Sequence, residues 1–376
     1  MSSVPDKIKT WQMVQPTAKN KETGETIPGK LELVEIPVPE LKEGEVLVEI
    51  AGCGVCHTDL GYFYDGVPTV QKPPLTLGHE ISGAVVAGDQ QWMGKEVIIP
   101  AVMPCRKCYL CKTGRGNRCL AQKMPGNSFG IYGGFASHIP VPSVDLCEVK
   151  DRKDFPLAHL AVVADAATTP FQAAKRASLD IGDNVIVIGI GGVGQYMVQT
   201  AKALGAGTVV AVLARQISQE SPVEPDRLEK ILKYGADYIV DAKGKGPAGV
   251  ADELKRIRKE KNLPAFGWKI FEATGNKIGQ ETALSLVSFT SKLLTIGFGM
   301  AKVEYNLSRL MAFDAEIIGT WGCLPEYYPQ VLEMVVTGKI AIEPYVQTRP
   351  MSSIRESFEE AHRKPPNKRI VLTPDF

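Results

Sequence analysis

The sequence lacks long apolar runs, a charge excess and the apolar segment of a secretion signal, and each absence excludes a class of protein. No apolar run in the 376 residues reaches the roughly 18 that a membrane span requires. The 43 lysines and arginines balance 42 acidic residues, whereas nucleic-acid binding usually leaves a basic excess. This balance of charge favours a small-molecule partner. The amino terminus has no apolar core of a signal peptide, so we expect a cytoplasmic protein.

The strongest local pattern is a cluster of four cysteines, Cys105, Cys108, Cys111 and Cys119. Their spacing allows four thiolates to close on one tetrahedral zinc ion. The alternatives are a pair of disulfides or an independent zinc knuckle that binds nucleic acid or protein. Disulfides need an oxidising compartment, which the amino terminus does not indicate. The cluster therefore predicts a structural zinc site.

The pattern of strands and helices changes along the chain, which predicts two domains. Up to about residue 150, short β-rich runs such as Glu45–Ile50 are broken by glycine and proline, which is typical of an irregular all-β domain. From about residue 167, extended and helical segments alternate, and this alternation predicts a doubly wound parallel α/β sheet. A last strand at 368–372 indicates that the tail completes the β domain. We therefore assign residues 1–166 and 319–376 to the first domain and 167–318 to the second.

A glycine-rich turn in the second domain predicts dinucleotide binding. The pattern G-x-G-x-x-G stands directly between a β-branched strand at 184–188 and a helix. Its glycines permit a tight turn and close approach of the backbone to a pyrophosphate, which would face the amino terminus of the helix. The alternative is a plain turn between a strand and a helix. The residues of this turn are Gly189, Gly191, Gly192, Val193 and Gly194.

The acidic residue that usually binds the ribose about 20 residues further on is missing. Leu213 stands at the end of the second strand, and Arg215 follows two residues later, where it could meet the 2′-phosphate of NADP. The stretch from Gln216 to Asp226 opposes this, since Glu220, Glu224 and Asp226 would repel a phosphate if this stretch folds back over the adenosine. Arg215 could equally be a solvated surface charge or a stacking plane for adenine. We therefore predict NAD, on the argument that the missing acid weakens a hydrogen bond rather than creating a phosphate pocket.

Three residues in or next to the first domain are candidate ligands of a second, catalytic zinc. Such a site needs about three protein ligands and one open position. Cys56 and His79 are typical thiolate and imidazole donors, and Asp165 lies where the second domain begins. Each has an alternative role: Cys56 as a small buried hydrophobic residue, His79 as a core histidine, and Asp165 as the cap of the following helix.

These residues together resemble the zinc-containing medium-chain alcohol dehydrogenase family over the full length of the chain. The matching motifs are Gly54-Val-Cys-His-Thr-Asp59, Leu77-Gly-His-Glu80, the four-cysteine cluster, Ile188–Gly194 and Arg369. The resemblance implies a GroES-like, β-rich catalytic domain that holds both zinc ions, a Rossmann domain, and a cleft between them. It also implies NAD as the cofactor and a homo-oligomer, either a dimer or a tetramer.

The resemblance assigns a role to each residue around the catalytic zinc. Cys56, His79 and Asp165 would bind the metal, and Asp165 would be an oxygen-donating variant, because many members have cysteine there. Glu80 would approach the metal during water exchange, and Asp59 would fix the tautomer of His79.

Further roles concern the proton and the cofactor. Thr58 would take the alcohol proton while hydride passes to the nicotinamide, and His57 and Arg369 would contact the cofactor pyrophosphate. The chain departs from many relatives at Gly61, where a histidine would end the proton relay.

A narrower set of motifs is similar to dehydrogenases of anaerobic benzoyl-CoA degradation. These motifs are Val55–Gly66, Leu75–Gly83, Met124–Asn127 and Gly133–His138. The similarity implies a CoA thioester substrate with a secondary allylic alcohol on its ring, and the zinc could also promote addition of water to the enone product. The alternatives are a general secondary-alcohol dehydrogenase that uses NADP, a metal-free quinone or enoyl reductase of the same superfamily, and a zinc-organised binding protein without turnover.

Overall fold

The computed structural model describes residues 5–214, 225–363 and 367–376, and these form two compact units. The first unit comprises residues up to Thr168, Gly322–Val336 and Ile342–Phe376. The second comprises Thr169–Trp321 and a short return at Thr337–Ala341. Among the described residues, no helix combines the length and the apolar character that crossing a membrane requires.

Strands and helices are numbered here in chain order over the described residues. The strands are β1 (Lys7–Gln15), β2 (Ala18–Lys19), β3 (Thr26–Ile27), β4 (Lys30–Pro37), β5 (Glu45–Gly54), β6 (Leu75–Thr76), β7 (Glu80–Gly88), β8 (Glu96–Ile99), β9 (His138–Pro142), β10 (Cys147–Glu148), β11 (Asn184–Ile188), β12 (Thr208–Leu213), β13 (Tyr238–Asp241), β14 (Lys269–Glu272), β15 (Lys292–Thr295), β16 (Glu316–Gly319), β17 (Val346–Pro350) and β18 (Arg369–Thr373). The helices are α1 (His57–Tyr64), α2 (Tyr109–Lys112), α3 (Thr168–Arg176), α4 (Gly194–Ala203), α5 (Pro225–Lys233), α6 (Gly246–Glu260), α7 (Lys277–Ser285), α8 (Ser308–Phe313), α9 (Tyr328–Val336) and α10 (Ile354–Arg363).

The first unit is built around a sheet in which β5 is central. The order is β10-β8-β7-β5-β18-β17, and β9 also pairs with β5. A smaller sheet, β4-β1-β6, and a two-stranded ribbon of β2 and β3 accompany it. The tail therefore does return to this unit, because β18 pairs antiparallel with β5 through Val371 opposite Gly54.

The core of the first unit is built from the apolar residues of its strands and of α10. In β5, Val46, Leu47, Val48 and Ile50 are buried, and they pack with apolar residues of β1, β7, β9 and α10. Burial of such side chains provides about 25 cal/mol per Å² of apolar surface. Because β5 and β7 pair antiparallel, the residues just beyond the end of β5 and just before β7 lie close together.

The second unit is a six-stranded parallel sheet in the order β13-β12-β11-β14-β15-β16. This arrangement confirms the predicted doubly wound α/β class. The central strands β11 and β12 are almost wholly apolar, as expected of strands covered on both faces. Two separate apolar clusters lie on them, one containing Val187 and Val209 and the other containing Ile186 and Val210. The chain order reverses beside β11, so its carboxyl end, at Gly189, is where such sheets bind ligands.

Candidate metal and dinucleotide sites

The strand pairing of the first unit brings Cys56 and His79 together. Glu80 is the first residue of β7 and lies opposite Gly54, the last residue of β5. His79 precedes that strand and Cys56 follows the other by two residues. A Cβ on Gly54 would overlap Glu80 Oε2, so glycine is required where the carboxylate lies against β5. Pairing between distant parts of the chain therefore positions a thiol, an imidazole and a carboxyl group.

Asp165 reaches the same place from a different part of the first unit. It follows a 3-10 helical stretch, Leu157–Ala164, whose last residues are fully buried and which packs against β5 and β7. Asp165 Oδ2 lies 3.6 Å from His79 Nε2 and 3.9 Å from Cys56 Sγ. Ligand atoms of Cys56, His79, Glu80 and Asp165 all lie within 4.8 Å of one another.

These distances fit a zinc ion. Ligand atoms about 2.0–2.3 Å from a tetrahedral metal are roughly 3.3–3.8 Å apart. Thiolate, imidazole and carboxylate are the donors that zinc takes. The electrostatic field of these residues also favours a cation. Burial lowers the pKa of His79, but neighbouring groups such as Asp59 and Cys56 together raise it more, so the pKa of His79 lies well above its usual value.

Asp59 holds two of the three candidate ligands. Its Oδ1 lies 3.2 Å from His79 Nδ1 and accepts a hydrogen bond of 3.0 Å from the N–H of Gly78. Its Oδ2 accepts from the N–H of Cys56 at 3.2 Å, where Cys56 caps α1. Because Nδ1 of His79 faces a carboxylate, Nε2 is left to face Asp165 and a metal.

Glu80 and Arg369 form an ion pair inside the first unit. Both side chains are buried, and an Nη atom of Arg369 donates to Glu80 Oε1. Burial raises the pKa of Glu80 to about 7, although the guanidinium opposes this rise. Glu80 Oε2 is buried and has no hydrogen-bond partner in the part of the chain that the structure describes, so one carboxylate oxygen is available to a metal.

Thr58 and His57 begin helix α1. Thr58 Oγ1 lies 3.7 Å from Cys56 Sγ, so the hydroxyl is beside the candidate metal site. The side chain of His57 is exposed, and Gly61 is buried one turn further along the helix.

The four-cysteine cluster closes locally. Cys108 Sγ lies 3.5 Å from Cys111 Sγ and 3.7 Å from Cys119 Sγ, and Cys105 Sγ lies 3.9 Å from Cys111 Sγ. Four sulfurs around one zinc are separated by about 3.8 Å, whereas a disulfide requires about 2.05 Å. All four are free thiols, which excludes the disulfide alternative. Backbone N–H groups of Lys107 and Cys108 lower the pKa of Cys105 to about 6, which favours its thiolate.

The glycine-rich turn joins β11 to α4 in the second unit. Gly189 has φ of +88°, a conformation that favours glycine. A Cβ on Gly194 would overlap the carbonyl oxygen of Gly189, so the helix can start here only with glycine. A Cβ on Gly191 would meet no described atom within 4 Å, which leaves room for a pyrophosphate beside the backbone. Gly192 and Val193 complete the turn, and Val193 precedes α4.

The structure describes only some of the other residues that bear on the choice of cofactor. Leu213 ends β12 with its side chain buried in the apolar core of the unit. Asp226 lies in the first turn of α5, where it pairs with Lys230 at 2.6 Å. Arg215, Glu220 and Glu224 lie outside the described residues.

Two residues of the second unit that sequence reasoning missed lie at the carboxyl edge of its sheet. Arg227 donates a hydrogen bond of 2.7 Å from Nη2 to the carbonyl oxygen of Ile190, within the glycine-rich turn. Glu272 ends β14, and its Oε1 accepts bonds from the N–H groups of Thr274 at 2.7 Å and Gly275 at 3.1 Å. Burial raises the pKa of Glu272. A buried acid at the end of an apolar strand was the one visible sequence signal.

Comparison with known proteins establishes the family. Residues 42–151 match the alcohol dehydrogenase GroES-like domain, and residues 192–337 match the zinc-binding dehydrogenase domain. An alcohol dehydrogenase from Geobacillus stearothermophilus is 30% identical over 348 residues, covering 91% of this chain and 95% of the relative. The chain belongs to the zinc-type, medium-chain alcohol dehydrogenase family, and it is therefore an oxidoreductase with a GroES-like and a Rossmann domain.

Two other relatives widen this comparison. A sorbitol dehydrogenase from Bombyx mori is 26% identical, and the alignment covers 87% of this chain and 90% of the relative. The solved structure of acetophenone reductase from Geotrichum candidum in complex with NAD is 25% identical, with a TM-score of 0.77, covering 99% of this chain and 98% of that one.

Proposed function

We propose that this protein is an NAD-dependent dehydrogenase that oxidises a secondary alcohol and holds two zinc ions per chain. The observation that carries the proposal is the group Cys56, His79 and Asp165, which has zinc-like spacing and an Asp59 carboxylate behind His79. The separate four-cysteine cluster would hold the second, structural ion. The similarity to a sorbitol dehydrogenase and an acetophenone reductase supports a secondary alcohol.

The residues around the first metal would share the work of proton transfer and orientation. When bound, zinc supplies a Lewis acid that lowers the pKa of the alcohol, and NAD supplies the hydride acceptor. Thr58, beside Cys56, takes the proton from the alcohol oxygen. Asp59 keeps His79 in the tautomer that leaves Nε2 free, and Glu80 keeps one unpartnered oxygen near the site for exchange of water. Since Gly61 has no side chain that could carry a proton, the alcohol proton would leave through the cofactor ribose or ordered water.

Metal analysis of Asp165 variants tests the ligand set. Asp165→Asn retains the capacity to cap a helix but loses the charge, whereas Asp165→Ala loses both. If Asp165 is a ligand, both variants should hold less zinc and turn over more slowly while remaining folded. Full zinc content and normal activity in Asp165→Asn would favour the capping role instead.

For the cofactor, we propose that the glycine-rich turn binds the pyrophosphate and that His57 and Arg369 contact it. NAD is favoured by the similarity to the NAD complex of acetophenone reductase. Two observations favour NADP instead. Leu213 offers no carboxylate to the ribose, and Arg227 places a guanidinium at the glycine-rich turn, which would suit a 2′-phosphate. Specificity constants for NAD and NADP, measured with one substrate, decide between them, and a tenfold preference for NADP would overturn the proposal.

For the substrate, we propose 6-hydroxycyclohex-1-ene-1-carbonyl-CoA, which would be oxidised to the 6-oxo product, with addition of water to that enone as a side activity. The support is the similarity of the motifs at 55–66, 75–83, 124–127 and 133–138 to the dehydrogenase of that name. Binding energy from the remote CoA moiety can be used at the reacting carbon. The thioester should therefore surpass sorbitol and simple alkanols by orders of magnitude in kcat/KM.

Two assays test the substrate proposal. Equal kcat/KM values for a secondary alkanol, or for sorbitol, would contradict the CoA substrate and leave the general dehydrogenase. Incubation of the enone product with enzyme, followed by mass analysis for a hydrated adduct, tests the side activity. We also propose a cytoplasmic homo-oligomer, a dimer or tetramer, for which light scattering gives the mass.

A further inference from the structure

The three candidate ligands of the catalytic metal differ in what holds them. Cys56 and His79 are both fixed by Asp59, through the backbone N–H of one and the imidazole of the other. Asp165 lies outside regular secondary structure, with φ of −144° and ψ of −56°. Because a metal site must hold its ligands within about 0.5 Å of the productive geometry, something else must fix the backbone at Asp165.

Tyr328 provides that support from a distant part of the first unit. Its hydroxyl donates a hydrogen bond to the carbonyl oxygen of Ala164, the residue directly before Asp165. The same hydroxyl accepts a hydrogen bond of 3.1 Å from the N–H of Ala101, which follows β8. Tyr328 is fully buried at the start of α9. One oxygen therefore ties the segment that carries Asp165 to the end of a sheet strand.

Two features make this contact suited to hold a ligand. Burial raises the pKa of Tyr328 well above its usual value, so the hydroxyl stays protonated and keeps donating. Thr168 secures the other side of the same peptide segment, since its Oγ1 lies 3.4 Å from the carbonyl oxygen of Asp165. The backbone on both sides of the Asp165 side chain is thus bonded to buried hydroxyl groups.

We propose that Tyr328 is a positioning residue for the catalytic metal, which holds Asp165 at the reach that a zinc ligand needs. Removal of its hydroxyl leaves the carbonyl of Ala164 and the N–H of Ala101 without their shared partner inside the protein. Such buried groups seek other partners, and the segment that carries Asp165 shifts as they do. This inference rests on the proposed function, because it takes Asp165 as a ligand.

The test is Tyr328→Phe in the full-length protein, with metal binding as the readout. We expect about 10–100-fold weaker retention of one zinc per chain against a competing chelator, the range for loss of a residue that orients a metal ligand. The second zinc should be retained as in the wild type, because the four cysteines close on their own short segment. With cobalt(II) in place of zinc, the visible absorption bands of the catalytic site should shift.

A matched control removes a buried hydroxyl elsewhere. The Tyr305 hydroxyl in the second unit is buried and has no hydrogen-bond partner among the described residues. Tyr305→Phe should therefore keep both zinc ions at wild-type affinity and leave the cobalt spectrum unchanged. If Tyr328→Phe behaves in the same way as this control, Tyr328 does not position the metal ligand and the inference is wrong.

A double-variant cycle separates this inference from the proposed function. If Tyr328 acts through Asp165, Tyr328→Phe should cause no further loss of zinc affinity in an Asp165→Asn background. Additive losses would contradict the inference while leaving the ligand assignment intact. Wild-type zinc affinity in Asp165→Asn alone would refute the ligand assignment itself.

A milder variant keeps the test valid if Tyr328→Phe does not fold. Thr168→Val retains the shape of the side chain and removes the hydroxyl beside the Asp165 carbonyl. We expect a smaller loss of catalytic zinc in the same direction, with the cobalt bands again displaced. Unchanged metal affinity and spectrum in Thr168→Val would then contradict the inference.

Discussion

The two cysteine-containing clusters of the first unit differ in how their residues come together. The four-cysteine cluster draws all its ligands from one segment, Cys105–Cys119, and three of its four cysteines are half-buried. The other cluster joins Cys56, His79 and Asp165, which are separated by up to 109 residues, and its cysteine and histidine are buried. A local cluster can stabilise the segment that contains it. A dispersed cluster depends on the sheet that carries it.

This difference fits two kinds of metal chemistry. Four thiols leave no position open at a tetrahedral ion, which suits a structural role. The dispersed cluster has three candidate ligands, while Glu80 is paired with Arg369, and Thr58 lies beside Cys56, which suits a site that binds substrate. We therefore expect variants of the dispersed cluster to lose activity with little loss of stability, and variants of the local cluster to lose stability with less effect on activity.

The largest effect should come from Cys56→Ala. Loss of a residue that orients a metal ligand lowers activity by about 10–100-fold. Loss of the ligand itself should lower it further, so we expect turnover to fall by more than about 100-fold. One zinc should be lost while the fold is retained. Cys147→Ala is a matched control, since Cys147 is a buried cysteine of the same unit that belongs to neither cluster. Turnover and two zinc ions in Cys56→Ala would show that the catalytic site is elsewhere.

Cys111→Ser should act mainly on stability. Zinc binding to a structural cluster contributes folding free energy, on the order of 10 kcal/mol in isolated zinc-binding peptides, so we expect a loss of several kcal/mol. Denaturant unfolding and zinc content measure this, with Cys147→Ser as the control. The distinction between the two clusters fails if Cys111→Ser unfolds like the wild type and keeps both ions.

Asp59→Asn should weaken the dispersed cluster without removing a ligand. Because Asp59 orients both His79 and Cys56, we expect about 10–100-fold weaker zinc retention or lower activity. Zinc affinity is measured against a chelator. Asp89→Asn, which affects only the cap of a short 3-10 helix and a contact with the Gln91 side chain, should leave the zinc affinity unchanged. Equal zinc affinities in the two variants would show that Asp59 does not support the site.

The smallest effect concerns the contact between Arg106, in the four-cysteine segment, and Asp145. Arg106 donates to the buried Asp145, yet burial outweighs this contact and raises the pKa of Asp145. The folded protein therefore binds a proton on Asp145 more readily than the unfolded chain does, and the stability from this carboxyl is lost as the pH rises above about 4. The Asp145→Asn variant has no carboxyl group here, so its free energy of unfolding should not show this decrease as the pH rises. Unfolding of both proteins between pH 4 and 7 measures the difference, and identical pH profiles would contradict it.

Elements whose evidence is local were predicted well from the sequence. The strand Asn184–Ile188 has the predicted bounds, and Leu213 ends the next strand as predicted, because buried parallel strands are continuous apolar runs. The four-cysteine cluster also follows from spacing alone. The β4-β1-β6 sheet of the first unit was not predicted, since pairing between strands far apart in the chain leaves no local pattern.

The sequence by itself determined which chemistry was available: four closely spaced thiols, a glycine-rich turn behind an apolar strand, and Cys56, His79 and Asp165 as candidate metal donors. The four thiols and the glycine-rich turn follow from neighbours in the chain, whose spacing fixes their reach, whereas Cys56, His79 and Asp165 are brought together only by the fold. Only the tertiary structure decided what supports them: Glu80 against Gly54, Arg227 on the glycine-rich turn, and Tyr328 on the carbonyl before Asp165. The physical reason is that hydrogen bonds and packing between distant segments depend on strand order and burial, which no spacing along the chain encodes.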